Sequence, residues 1–445
     1  MKANIYIILS IALVFSSMAV VGCGTAAPPV STKGPIVIGY VGNSSSPGTK
    51  PCMDIVGMAV EEINETGGIL GRPVVYVIED GKGETSLSAA AATRVVMGQK
   101  ALFYITEGRS EIVLANEFKS ADMYKEFPHI MLGMATSHEA ADLVFNDYDK
   151  FKFYFCNFNP EPGHYLWATQ IFSIFNQLQP QVKKWALLYE DLLWTKMFRE
   201  GYKELNLPTW DVMAKEDWNI NVVYSKAFKA RAGMYLPVLD TIAKSDAEMI
   251  FLVSSWFTDA EVFVKQWVDS PAKDIPLYIY GGVSQTHDFW KLTGGKCLGV
   301  CSGSGETPIT DSTMPAVQKA NARGIPCQLN VLCNYDDIYF MKKAIETVGG
   351  TDDVDAIIKA METIETPGTS GKYKYVSEKI APYFHSRVCA DPSNPRKEIP
   401  GYFQAPSAQF QQDGEMVPLS PAQYAQINRF KTLEQLRKEA GWKGY

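Results

Sequence analysis

Two short stretches of this 445-residue chain carry residue types in an order that can do chemistry. The first is Thr106-Glu107-Gly108-Arg109-Ser110, between an apolar run and the start of a helical pattern near Glu111. Backbone N–H groups at a helix start, with the Ser110 hydroxyl, suit a carboxylate. The Arg109 guanidinium adds a fork matched to an anion. An arginine at an ordinary surface helix start has the same signature, so both readings stand. The second stretch is Ala19-Val20-Val21-Gly22-Cys23. Small and branched residues before a cysteine read as a bacterial-type lipobox, in which a signal peptidase cuts and the Cys23 thiol takes the lipid.

Sequence cues for catalysis are absent. The loop after the first apolar run reads Gly42-Asn43-Ser44-Ser45-Ser46-Pro47-Gly48, which is neither a dinucleotide fingerprint nor a Walker A loop. Ser302-Gly303-Ser304-Gly305 has the wrong spacing for a nucleophile elbow. His138-Glu139 lacks the second histidine of a zincin, and Cys297 and Cys301 lack a second pair or a nearby histidine. No cofactor, no metal and no enzymatic activity are expected. After Cys23 the cysteines are Cys52, Cys156, Cys297, Cys301, Cys327, Cys333 and Cys389. An exported location permits disulfides, with Cys327/Cys333 and Cys297/Cys301 as local options and at least one cysteine left over.

The elements that position these residues follow from patterning. Residues 1–23 form a leader: Lys2 supplies its charge, and the apolar run 5–21 is too short and weakly flanked for a spanning helix. Residues 24–34, small and proline-containing, form a tether. The formal charge of −7 and the lack of a basic stripe argue against nucleic acid as partner. Beyond the tether, strand and helix alternate. Strands are expected at 35–42, 74–78, 101–106 and 129–134, with helices between them; Ile55, Ala59 and Ile63 recur at helical spacing while Glu61 and Glu62 fall on the far face. A second alternation begins after Lys183, with strands at 185–189, 222–224, 249–253 and 277–280 and helices at 194–205, 235–243 and 259–268. Helices at 336–348 and 353–364 follow. Parallel strands with helix-length crossovers make an α/β fold of two doubly wound sheets.

Residues 36–42 (Ile-Val-Ile-Gly-Tyr-Val-Gly), 57–73 (Gly-Met-Ala-Val-Glu-Glu-Ile-Asn-Glu-Thr-Gly-Gly-Ile-Leu-Gly-Arg-Pro) and Glu79-Asp80 closely resemble the opening of the branched-chain amino-acid (Leu/Ile/Val) binding protein family. These are type 1 periplasmic binding proteins of ABC transporters. Ala135-Thr136, Lys184-Trp185, Phe289-Trp290, Tyr335-Asp336 and Gln409-Phe410-Gln411-Gln412-Asp413-Gly414 extend the likeness, which is weakest over 377–399. The resemblance implies two lobes joined by a three-crossing hinge: lobe one from 35–157 and 299–385, and lobe two from 158–298 and 400–430. Residues 386–399 are expected to be an insertion and 431–445 a C-terminal tail.

It also implies a site between the lobes. In such binders the loop Met134-Ala135-Thr136-Ser137 would offer a backbone contact from Ala135 and the Thr136 hydroxyl, although a helix-capping turn has the same residues. Trp194 stands where relatives place a closing tyrosine, and Trp256 follows the next strand similarly; structural tryptophans remain the alternative. Tyr335, at an expected helix start, completes the candidate set with Arg109 and Ser110. One departure bears on the ligand. Amino-acid binders place a carboxylate after the strand that here ends in Tyr280, but the chain reads Gly281-Gly282-Val283-Ser284-Gln285. A buried ammonium without a paired charge is destabilised by several kcal/mol, so a carboxylate lacking the amine or an amide-like solute is favoured, with Glu107 and Asp259 as possible substitutes. The lipobox, the resemblance and the missing acid after Tyr280 together imply a lipid-anchored, extracytoplasmic binding protein that hands a small, carboxylated solute to an ABC permease of the cytoplasmic membrane. A sensor of amides or urea with the same fold is the alternative.

Overall fold

The computed structural model describes residues 33–158, 160–404 and 406–442. The leader, Cys23 and all but the last two tether residues lie outside these. The first lobe opens with β1 (Ile36–Gly42), α1 (Lys50–Glu65), β2 (Val74–Asp80), α2 (Thr85–Thr93), β3 (Phe103–Thr106), α3 (Ser110–Tyr124), β4 (Ile130–Gly133), α4 (His138–Asn146), α5 (Tyr148–Phe151) and β5 (Tyr154–Cys156). These strands form one parallel sheet in the order β2-β1-β3-β4-β5. Ile55, Ala59 and Ile63 of α1 are buried as their spacing predicts. Thr106 pairs with Gly133 at the ends of β3 and β4, so the loops that follow emerge side by side.

The second lobe comprises α6 (His164–Leu178), β6 (Lys184–Glu190), α7 (Lys196–Glu200), α8 (Trp210–Trp218), β7 (Asn221–Phe228), α9 (Leu236–Ala243), β8 (Met249–Val253), α10 (Ala260–Val268), β9 (Leu277–Ile279), α11 (Asp288–Thr293) and β10 (Cys301–Gly303). Then come α12 (Thr313–Ala322), α13 (Leu329–Val348), α14 (Val354–Met361), the hairpin β11 (Ala390–Asp391) and β12 (Asn394–Glu398), β13 (Ser407–Phe410), β14 (Met416–Ser420) and α15 (Leu433–Glu439). The second sheet runs β14-β13-β10-β9-β8-β6-β7, with β13 antiparallel to both β10 and β14 and the other pairs parallel. Tyr189 pairs with Val253 and Leu252 with Ile279, so the loops after β6, β8 and β9 are neighbours. α13 returns to pack on α1 of the first lobe before β13 and β14 rejoin the second, giving a doubly wound two-lobed fold whose chain passes three times between lobes.

Several expectations change. β10 lies in the second sheet, so the return to the first lobe comes after Gly303 rather than at 299. The helix expected over 194–205 breaks at Gly201, whose φ of 74° is left-handed. α13 starts at Leu329, seven residues before the expected Asp336, because Asn330 and Asn334 interrupt its apolar pattern although both are buried. Residues 386–399, expected to be an insertion, are packed into the fold: Arg387 is fully buried and β12 packs on α6. The C-terminal segment includes α15, started by a Thr432/Gln435 capping box and held by Arg437 to Asp274 at 2.7 Å. All seven cysteines among the described residues are buried and free, so neither disulfide option is realised. Among the described residues no helix is long and apolar enough to cross a membrane.

Candidate ligand-binding cleft

The adjacent loop ends of the two sheets face each other across a cleft of ≈ 630 Å³, part of it open to solvent. This is the position that open α/β sheets give to ligands. From the first lobe, Gly108 and Arg109 follow β3, Ser110 and Glu111 begin α3, and Thr136 follows β4. The Ser110 hydroxyl accepts from the Ser137 N–H at 3.3 Å, which ties the two loops together. Arg109 donates to the Gly83 carbonyl at 3.2 Å through one terminal nitrogen, and its Nε lies 3.7 Å from Glu111. The Arg109 side chain lines the cleft and is about one-third exposed. Arg109, Ser110 and Thr136 are therefore brought together at one wall.

The opposite wall is aromatic. Leu192 and Trp194 follow β6, Ser254 through Phe257 follow β8, and Tyr280 through Gly282 follow β9. The Trp194 N–H donates to Glu190 at 2.9 Å, so that indole turns its polar edge inward rather than to the cleft. Trp256 reaches across to the first lobe: a β-carbon on Gly48 would lie 2.3 Å from its ring, and one on Gly108 2.7 Å. The Trp256 Nε1–H is buried with no acceptor among the described residues.

Two candidates fall outside. Ala135 is buried in the core, where its carbonyl accepts from the Cys156 thiol at 3.1 Å, and it does not line the cleft. Tyr335 lies almost two turns into α13 and points away, donating to Glu62 of α1 at 2.6 Å. The early start of α13 is the cause: Asn330, not Tyr335, reaches the cleft from its first turn. Sequence reasoning also missed Phe158, His164, Trp167, Tyr280 and Gln285. His164 and Trp167 sit one turn apart at the start of α6, the spacing that puts two side chains on one helix face. The His164 Nδ1 pairs with the Tyr280 hydroxyl, and Trp167 packs on Tyr280 with ring centroids 5.3 Å apart. Gln285 accepts from the Leu329 N–H at 2.8 Å, linking the second lobe to the start of α13.

The cleft's charge is simple. Among the described lining residues the only carboxylate is Glu111, which is turned to Arg109. Glu107 does not line the cleft; it accepts from the Asn43 N–H at 2.9 Å and the Thr49 hydroxyl at 3.1 Å, and burial pushes its carboxyl up. Asp259 accepts from the Tyr235 hydroxyl and the Gly233 N–H. Neither stands in for the acid missing after Tyr280. Among the described residues one group, His138, Glu139 and Glu161, brings potential metal-ligand atoms within 4.8 Å of one another. The Glu161 carboxylate there already accepts backbone N–H bonds from His138 at 3.2 Å and Met197 at 2.9 Å, a tie between two helix starts.

A family described as periplasmic binding protein matches residues 35–383. Among solved structures, a protein of Silicibacter pomeroyi assigned to branched-chain amino acid ABC transport superposes with a TM-score of 0.68 at 18% identity, covering 88% of this chain and 98% of that one. The LivJ branched-chain amino acid binding protein of Streptococcus pneumoniae, in complex with isoleucine, gives 0.63 at 16%, covering 86% and 97%. A solute-binding protein of R. palustris, in complex with 4-hydroxybenzoate, gives 0.63 at 18%, covering 86% and 94%. A comparison with curated proteins found no match. Two parallel-sheet lobes, loop ends facing across a cleft, and a family match over most of the length lead to one assignment: the chain belongs to the periplasmic binding protein family, whose members are extracytoplasmic solute-binding proteins and not enzymes.

Proposed function

We propose that this chain is the extracytoplasmic substrate-binding component of an ABC uptake transporter, closing its lobes on a small solute that carries a carboxylate and an aromatic or branched apolar body. The observation that carries this reading is the division of the cleft. One wall presents Arg109, Ser110 and Thr136, which match a carboxylate, and the other presents Trp194, Trp256, Tyr280 and His164, which match an apolar ring or branch. The absence of a carboxylate beside Tyr280 argues against a buried ammonium. Relatives of this fold in complex with isoleucine and with 4-hydroxybenzoate give two ligand chemistries to compare. In this reading Cys23 carries the lipid, residues 24–34 hold the lobes off the membrane, and a permease of the cytoplasmic membrane receives the solute.

The test is a thermal-shift screen of refolded, ligand-stripped protein against leucine, isoleucine, benzoate, 4-hydroxybenzoate, benzamide and urea. A true ligand at a hundredfold over its Kd adds about 2.7 kcal/mol of stability. Simple acids are expected to stabilise more than leucine. A response to amides alone would transfer the protein to the sensor class, and silence to the whole set would refute the reading of the cleft. A permease and an ATPase encoded beside this chain would be the simplest check on the transporter assignment.

A further inference from the structure

Glu190 ends β6 behind the aromatic wall, fully buried, and does not itself line the cleft. Its carboxylate accepts three side-chain hydrogen bonds: from the Trp194 N–H at 2.9 Å, the Ser255 hydroxyl at 2.7 Å and the Thr258 hydroxyl at 2.6 Å. The first donor belongs to the loop after β6 and the other two to the loop after β8, which are the two second-lobe loops that bring tryptophans to the cleft. The Ser255 hydroxyl also accepts from the Phe257 N–H at 3.2 Å, so the bond to Glu190 passes directly into the turn that carries Trp256. Trp256 in turn lies against Gly48 and Gly108 of the opposite lobe.

We infer that Glu190 is the positioning residue of this binding site. A single buried carboxylate fixes the orientation of Trp194 and the reach of Trp256 together, and so sets both the shape of the ligand's aromatic wall and the fit of the closing lobe. The inference rests on the cleft being the ligand site as proposed above. Burying a charged group costs free energy unless every acceptor site is used. Here three donors, all from cleft-forming loops, provide part of the compensation, and burial still pushes the carboxyl above its usual range. Two oxygens with several lone pairs can hold three donors at once, which a single hydroxyl or amide cannot do with the same geometry.

The test uses the intact protein with Glu190 replaced by leucine and by glutamine, with 4-hydroxybenzoate as the probe. Deuterium exchange of the Trp194 indole N–H is followed by NMR, and the Trp267 N–H, which donates to the Ala272 carbonyl at 3.0 Å away from the Glu190 cluster, serves as the internal reference. In Glu190→Leu the Trp194 N–H is expected to lose its protection, and probe affinity to fall by about tenfold or more, as for loss of hydrogen bonds to a charged group. Glu190→Gln, which keeps one acceptor oxygen, is expected to restore part of both, and it carries the test if the leucine variant does not fold. Unchanged Trp194 exchange in both variants, or probe affinity within about twofold of wild type, would overturn the positioning role. Exchange is read without ligand, so a wild-type protein that ignores the probe would refute the proposed ligand class while the Trp194 signal still decides the role of Glu190.

Discussion

The indole of Trp256, carried by the second lobe, lies against Gly108 of the first so closely that a β-carbon there would come within 2.7 Å of the ring. Met134 closes the other side of the same point at 3.1 Å. Glycine at 108 is thus a requirement of close approach, and the contact spans the two bodies whose closure is proposed to enclose the solute. A hydrogen in place of a methyl group is what lets the lobes meet here.

Gly108→Ala is therefore expected to hold the lobes apart. Within the first lobe the new methyl presses only on Met134, at 3.1 Å, a milder contact than the one with Trp256, so the far-ultraviolet circular dichroism spectrum and the melting of the unliganded protein should stay near wild type. Affinity for the stabilising acid should fall by about tenfold or more, in line with an overpacking penalty of about 1–3 kcal/mol. Small-angle scattering should show a larger radius of gyration in the presence of that acid. Unimpaired binding by the alanine variant would show that closure does not need this contact.

Much of this arrangement is legible in the sequence because it depends on local patterns. The apolar runs ending at Thr106 and Tyr189 and the helix starts after them place Arg109, Ser110 and Trp194 with no knowledge of the other lobe. Trp256 is legible in the same way, from the strand before it. What escapes is set by long-range packing. His164 and Tyr280 meet across 116 residues, and nothing local to either marks the pairing. Tyr335 is misplaced because the polar, buried Asn330 and Asn334 hide the first turns of α13. Arg387 lies in a stretch whose charge suggests surface, yet it is enclosed by partners drawn from α13 and from Tyr373.

Arg109 offers a test of the polar wall. Arg109→Ala removes the cleft's cation while leaving the Ser110 and Thr136 hydroxyls. Loss of a charge-assisted hydrogen bond of about 1.5–3 kcal/mol corresponds to a fall of roughly tenfold to a hundredfold in affinity for a carboxylate. Binding of the matching amide, benzamide against benzoate, should be unaffected or improved, and calorimetry on the pair reads the difference. Equal loss for acid and amide would mean that Arg109 acts through the loop rather than on the ligand's charge.

Glu117 of α3 offers a test away from the cleft. It is fully buried with neither carboxylate oxygen partnered among the described residues, and burial pushes its carboxyl well above the usual range. A carboxyl held higher in the folded than in the unfolded chain binds its proton more tightly when folded. Its contribution to stability is then best below the unfolded value, about 4.3, and is lost as pH rises from there toward the folded value. Glu117→Gln should match wild type near pH 4 and exceed it at pH 8, with Tm higher by about 2–4 °C for each kcal/mol recovered. Parallel pH profiles for the two proteins would show that Glu117 has a partner when folded.

Arg387 tests whether residues 386–399 are an appendage. Its guanidinium is fully buried, 3.5 Å from Asp336 and 3.2 Å from the Cys333 sulfur, and stacks 4.2 Å from the centre of the Tyr373 ring. Asp337, whose carboxyl burial pushes up to about 7, lies beside it, held by the Tyr373 hydroxyl at 2.6 Å and by Asn157 at the first crossing. Arg387→Met keeps most of the volume but leaves two acids buried without their cation. Breaking a buried pair in this way destabilises by about 3–5 kcal/mol, which urea denaturation at pH 8 should show in full. At pH 5 part of the loss should return, because a protonated Asp337 no longer needs the charge opposite it. Arg387→Lys should recover less than its charge suggests, since an ammonium cannot stack on Tyr373 and bond in plane to Asp336 at once. Wild-type stability in the methionine variant would show that Arg387 does not anchor the segment to the lobes.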